Sequence, residues 1–303
     1  MPMAKKTLDQ LKIEPGEKFR IRDHSADWLP EAVKDLDKGE RKKRAEAMLE
    51  ENRRELAEAQ ELLYADGSHS VLIVFQAMDA AGKDGTIRHV MSGVNPQGCT
   101  VSSFKVPSAT ELSHNYLWRY SMALPARGMI GIFNRSYYEE VLVVKVHPEI
   151  LERADLPAED VHKHIWKHRY EDINNFEQHL ARNGTTILKF FLNVSKEEQR
   201  ARFLERLEEP DKNWKFSSGD IVERGFWDDY MAAFEDAINA TSTPWAPWYV
   251  IPADRKWAMR AAVSDIITTT IKDLPLAYPT VPDEERARLT EAKEQLLAEG
   301  ESG

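Results

Sequence analysis

Cysteine is all but absent: the chain has one, Cys99, in 303 residues. An intramolecular disulfide is impossible, a four-cysteine zinc site is excluded, and a reducing, cytoplasmic setting is expected. Long apolar runs are missing too. Uninterrupted aliphatic and aromatic stretches such as residues 71–75 and 141–144 are far short of a membrane span. No apolar stretch follows the charges of Met1-Pro2-Met3-Ala4-Lys5-Lys6, so no secretory leader is expected. Positive charge is in deficit, since 41 Lys and Arg against 51 Asp and Glu leave a net −10. That argues against a surface built for nucleic acid, while leaving room for a local basic cleft. Internal repeats and low-complexity tracts are also lacking. What remains is 42% hydrophobic and 30% charged residues, the composition of a globular chain long enough to bury a core unaided.

Residues 1–30 have no clear period and read as part of an arm, taken to 38. Residues 39–64 are rich in Ala, Glu, Leu, Arg and Lys without proline, which predicts one long helix. Asp66-Gly67-Ser68 should end it. From there strands and helices alternate. Strands are expected at 71–75, 100–106, 129–133, 187–194 and 248–251. Helices are expected at 162–183, where Ile165, Ile173, Phe176 and Leu180 recur at helical spacing, and at 196–207. Ser195 and Glu198 have the spacing of a capping box for the second of these. Alternation of this kind implies βαβ units and a parallel, here five-stranded, sheet flanked by helices. Residues 281–303 read as a polar, acidic tail, with seven acids and three bases after Pro282.

The strongest signal follows the first of these strands directly: Ala77-Met78-Asp79-Ala80-Ala81-Gly82-Lys83-Asp84-Gly85. It keeps the spacing of the phosphate loop G-x-x-x-x-G-K-[ST] between strand and helix. In such a loop backbone N–H groups and a helix N-terminus face phosphate oxygens, and the lysine adds a point charge. Ala80, Ala81, Gly82, Lys83, Asp84 and Gly85 are therefore candidate phosphate ligands. Ala77 replaces the first glycine, and Asp84 stands where the metal-binding hydroxyl is usual. A carboxylate beside a polyanion is costly without a cation between them, so Asp79, with Asp84 beside it, implies Mg²⁺. The alternative is an ordinary glycine-containing turn.

Asn134-Arg135-Ser136-Tyr137-Tyr138-Glu139 ends the 129–133 strand. An arginine there, facing the loop, would clamp phosphate; otherwise it makes a surface ion pair. Glu139 could bind metal, orient an acceptor phosphate, or be an exposed acid at a helix start. Farther on, Arg202 and Arg206 share a helix face, and Pro210 to Ser217 forms a basic loop containing Lys215. Residues 200–224 suit a lid that neutralises a transferring phosphoryl group and excludes water. Alternatively the arginines pair with Glu205, Glu208 and Glu209 on a solvated helix. His162, His164 and His168 include a metal-like i,i+4 pair with nothing nearby to complete it. Trp245, Trp248 and Tyr249 suit core packing better than base stacking. Lys105, His114 and Arg119 could line an anion path.

The loop, the 134–139 block, the 210–217 block and Thr241-Ser242-Thr243-Pro244-Trp245-Ala246-Pro247-Trp248-Tyr249 together resemble the polyphosphate kinase 2 family over about residues 61–274. The wording of the blocks, with Phe104-Lys105-Val106-Pro107-Ser108, is similar to that of its class III subgroup. Many members have Asp and Asn where this chain has Asn134 and Glu139. The resemblance implies a P-loop kinase fold like that of thymidylate kinase with a helical lid. It implies Mg²⁺-dependent transfer of the terminal phosphate of inorganic polyphosphate to AMP and ADP, giving ADP and ATP. It implies a dimer or tetramer as well. The implied catalytic residues are Asp79 (at the metal), Lys83, Arg135, Glu139, Arg202 and Arg206, with Lys215 among the phosphate ligands. The expected organisation is an arm (1–38), a phosphotransferase domain (39–280) and the acidic tail. Two other readings stay open: an ATP-dependent nucleoside monophosphate kinase, and a non-catalytic module binding polyanions or nucleotides.

Overall fold

The structure is a computed structural model that describes residues 8–152, 156 and 164–300. Six strands form one sheet: β1 (Lys12–Ile13), β2 (Ser70–Gln76), β3 (Cys99–Ser103), β4 (Ile130–Asn134), β5 (Thr185–Asn193) and β6 (Trp248–Pro252). Their order is β1-β6-β5-β2-β4-β3. The five expected strands are present and parallel, with ends shifted by at most three residues. The expected count of five is corrected to six. Lys12–Ile13 pairs antiparallel with β6 at the edge, Ile13 beside Trp248. Two residues are too few to show a period of two, so a strand of that length leaves no pattern to read.

β2 is the central strand, and every residue in it is buried. Buried on both faces, it needs the unbroken apolar run Val71–Phe75 that its sequence supplies. The chain leaves β2 for β3 and β4 on one side and returns to β5 on the other. The carboxyl end of β2 is therefore a topological switch point, where the flanking connections diverge and leave a crevice.

Eight helices matter here: α1 (Lys38–Asp66), α2 (Lys83–Val90), α3 (Ile165–Arg182), α4 (Lys196–Glu208), α5 (Ser218–Gly225), α6 (Trp227–Thr241), α7 (Lys256–Lys272) and α8 (Asp283–Gly300). The expected long helix is α1. Asp37 caps its start by accepting from the Glu40 N–H, and Gly67, at φ 65°, closes its end on the Leu63 carbonyl. Its buried stripe, including Asn52, Leu56, Ala59 and Leu63, lies along α7. α3 and α6 cover the opposite side of β5, where Phe191 stacks on Phe234 at 4.3 Å. The leading segment also packs on the sheet's edge: Phe19 is buried, and its amide donates to Asn239 Oδ1. Among the described residues, no helix is long and apolar enough to cross a membrane.

Behind the crevice, β5 carries a lysine inside the core. Lys189 and Glu177 are both fully buried and pair at 2.7 Å. Lys189 Nζ also donates to Tyr138 Oη at 2.9 Å and to the Thr241 carbonyl at 2.7 Å. Tyr137 and Tyr138 hydroxyls both donate to Glu177 Oε1. Every charge in this cluster has partners, the condition under which a buried pair is tolerable.

Candidate active site

The loop between β2 and α2 curls back over the end of the sheet. Gly82 sits at φ 112°, and a Cβ there would come within 3.2 Å of Met259 Cε, so only glycine fits without displacement. Ala80 also holds a positive φ, 60°. Lys83, the first residue of α2, folds its ammonium back to the Ala77 carbonyl at 2.8 Å, with a longer contact to Met78 O at 3.5 Å. Burial lowers its pKa, and the neighbouring Arg135 charge lowers it further, against the pull of Asp79, Glu139 and Asp84. A bound anion would oppose both effects.

Parallel register brings the second block to the loop. Phe75 of β2 is level with Asn134 of β4, so Arg135 emerges beside the first loop residues. Its amide donates to Phe75 O at 3.1 Å, and it holds a positive φ of 65°. For a bulky side chain that conformation is strained, and such strain collects at functional sites. The guanidinium donates to Asp79 Oδ1 at 3.1 Å. Burial works against its charge, but Glu139 and Asp79 outweigh this and hold its pKa above the ordinary value. Burial pushes the Glu139 carboxyl up from its ordinary range, partly offset by Arg135, Lys83 and a hydrogen bond from Gln76. Asn134 Nδ2 donates to Asp84 Oδ1 at 2.5 Å. Asp79, Lys83, Asp84, Arg135 and Glu139 thus form one electrostatic cluster around the loop.

The two arginines of the arginine helix have different surroundings. α4 runs beneath the loop, and Arg202 is buried there. Its Nε donates to Glu198 Oε1 (2.8 Å), Nη1 to the Ala80 and Ala81 carbonyls (3.0 and 2.7 Å), and Nη2 to the Ala253 and Asp254 carbonyls (2.6 and 3.2 Å). In this geometry Arg202 supports the loop from below. The capping box expected at Ser195 is half formed. Ser195 Oγ accepts from the Glu198 N–H, but Glu198's carboxylate is engaged by Arg202, and the Ser195 amide donates to Asp254 Oδ1 instead. Arg206 points the other way, toward Asp220 of α5 at 3.6 Å, and lies over the Phe203 ring. Burial, together with the Asp79 charge, raises the Asp220 pKa, so this acid too lies within reach of the cluster. The Lys215 side chain lies outside the described residues.

Sequence reasoning missed Gln199, whose Nε2 donates to the Asp79 carbonyl at 3.0 Å. Its i,i+3 relation to Arg202 was the available signal. The weaker candidates separate. Trp248 is core, its indole N–H on Thr241 Oγ1. Arg119 pairs with Glu111 at 3.0 Å and lies over Phe104, and His114 stacks on Trp118. His164 and His168 have ring centroids 6.1 Å apart, and His162 lies outside the described residues. No group of three or more His, Cys, Asp or Glu among the described residues is placed to hold a metal. The acids at the loop suit a different mode: a hard cation that keeps several waters and arrives with phosphate needs only one or two protein carboxylates.

The chain is similar to known proteins over most of its length. The family model described as Polyphosphate kinase 2 (PPK2) matches residues 39–277. An ADP-polyphosphate phosphotransferase of Rhodopseudomonas palustris is 56% identical over 243 residues, covering 80% of this chain and 84% of that protein. An AMP/ADP-polyphosphate phosphotransferase of Meiothermus ruber is 47% identical over 272 residues, covering 90% and 96%. The crystal structure of polyphosphate kinase 2 from Arthrobacter aurescens TC1 superposes with a TM-score of 0.82 at 37% identity, covering 96% of this chain and 100% of that one.

Proposed function

The chain belongs to the polyphosphate kinase 2 family, and from that premise we propose that it transfers the terminal phosphate of inorganic polyphosphate to AMP and ADP, giving ADP and ATP. The observation that carries the reading is the loop cluster: Lys83 and Arg135 converge at the switch point beside Asp79, with loop amides and the start of α2 behind them. The near-full-length likeness to a relative named for both AMP and ADP supports the acceptor range.

Lys83 and the loop amides would bind the terminal phosphate of the donor, and Arg135 would stabilise charge spreading over the equatorial oxygens during in-line transfer. The acceptor phosphate is already ionised, so positioning matters more than base catalysis. Asp79 accepts from the Arg135 guanidinium, and the Glu139 charge favours the charged forms of both Arg135 and Lys83. Asp79 and Asp84 would hold Mg²⁺, which supplies charge neutralisation between donor and acceptor phosphates. Within the 200–224 segment, the part that follows α4 would close over the donor and keep water out, with Arg206 adding positive charge where that part begins. The reading includes a cytoplasmic setting, no nucleic-acid partner, and a homo-oligomer, dimer or tetramer. Support for these comes from the single cysteine, the acidic balance and the family resemblance. The arm, phosphotransferase domain and acidic tail are proposed as its organisation.

The test is ATP formation from ADP and polyphosphate by the pure protein, followed by chromatography. ATP should appear with Mg²⁺, stop on chelation with EDTA and resume with excess Mg²⁺. No ATP under any of these conditions would overturn the reading.

A further inference from the structure

The underside of the loop is tied to α5 through one amide. Gln199 is buried, and its two ends have different partners. Nε2 donates to the Asp79 carbonyl at 3.0 Å, while Oε1 accepts from Arg224 Nη1 at 2.7 Å. The same arginine nitrogen donates to the Lys196 carbonyl at 2.8 Å. Arg224 lies in the last turn of α5, and Asp220 in its first turn lies near Arg206 and Asp79. α5 therefore meets the site at both ends: directly at Asp220, and through Gln199 at Arg224. A glutamine suits the middle of such a chain because its amide accepts from a cation at one end and donates to a carbonyl at the other. A carboxylate could accept from Arg224 but could not donate to Asp79 O.

We propose that Gln199 is a positioning residue that couples the seating of α5, through Arg224, to the backbone at Asp79. The loop holds its phosphate-binding shape when α5 is docked and loosens when α5 lifts. Arg202 is the fixed half of the support, anchored to Ala80, Ala81 and the segment after β6; Gln199 is the half that responds to α5. This rests on the phosphotransferase reading for its kinetic consequence, but the structural coupling does not need it.

The experiment is a double-mutant cycle with Gln199→Leu, Arg224→Met and the pair, with Gln199→Glu as the variant that keeps only the acceptor. Arg224→Met keeps an apolar stem against Trp227, which the guanidinium now overlies. Each single change should lower kcat about tenfold, leave the acceptor KM within about twofold and leave Tm nearly unchanged. The pair should be no worse than the worse single, and Gln199→Glu should match Gln199→Leu. Hydrogen exchange at the 79–82 amides should quicken in Arg224→Met, whose altered residue makes no contact with those amides. This readout is independent of any substrate, so it still tests the coupling if no transfer from polyphosphate is seen. Additive losses, full activity in Gln199→Glu, a Tm drop with kcat intact, or unchanged exchange at 79–82 would each overturn the proposal.

Discussion

Lys189 lies within β5 and Lys83 just past the end of β2, and both are driven by burial toward a lower pKa. Their surroundings differ in completeness. Lys189 Nζ has Glu177, Tyr138 and Thr241 within 2.9 Å, and its carboxylate partner takes two tyrosine hydroxyls besides. Lys83 Nζ has one partner at that range, the Ala77 carbonyl of its own loop. The first cluster is closed, and its charges are matched inside the fold. The second keeps cations and acids together without closing them: Asp79 bonds Arg135, and the Glu139 charge acts on both Arg135 and Lys83. A matched buried pair resists removal of either member, whereas a half-matched cluster at a crevice can exchange a weak internal contact for an anion.

The largest effect should follow from breaking the open cluster. Lys83→Ala should lower kcat by ~10³-fold or more while thermal unfolding barely moves; steady-state kinetics beside a melting curve measures both. A well-folded, active Lys83→Ala protein would remove the distinction between the two lysines. Lys189→Met should do the reverse. Leaving Glu177 buried and unpaired should cost about 3–5 kcal/mol of stability, read by denaturant titration, with activity per folded molecule kept. Adding Glu177→Leu should recover part of that loss. A smaller change tests the support under the loop: Ser195→Ala removes the acceptor for the Glu198 N–H at the start of α4 and should cost about 1 kcal/mol.

The smallest effect concerns pH. Glu139's pKa is raised in the fold, chiefly by burial, so the folded state holds this proton more tightly than the unfolded chain. Stability from this group is present below the ordinary carboxylate range and falls as pH rises toward the folded pKa. Glu139→Gln should therefore leave Tm unchanged in acid and raise it relative to the parent above neutrality. Equal shifts at both pH values would show that the carboxylate is not strained by its site.

Where chemistry depended on spacing along one segment, the sequence was sufficient. The 77–85 loop needs a buried strand before it and Gly82-Lys83 in register, and both are local properties. Arg135 could be placed because a parallel neighbour of β2 must end near the loop. Arg202 could not be placed the same way. Its helix has a face carrying Gln199, Arg202 and Arg206, but only docking decides that Gln199 and Arg202 turn under the loop while Arg206 turns toward α5. Lys189 was hidden for a similar reason: inside the run Ile187-Leu188-Lys189-Phe190-Phe191 it looks like an interruption until Glu177 of α3 is seen against it. β1 lacked the length to show any period, and the Ser195 box was half right because Arg202 competes for Glu198.

The most direct test of the account is a change of phosphate donor. Pure protein, Mg²⁺ and AMP are incubated with either polyphosphate or ATP, and the nucleotides are separated over time. The account predicts ADP and then ATP from AMP and polyphosphate with no ATP supplied. ADP from AMP plus ATP, with nothing formed from polyphosphate, would contradict it and make the protein a nucleoside monophosphate kinase.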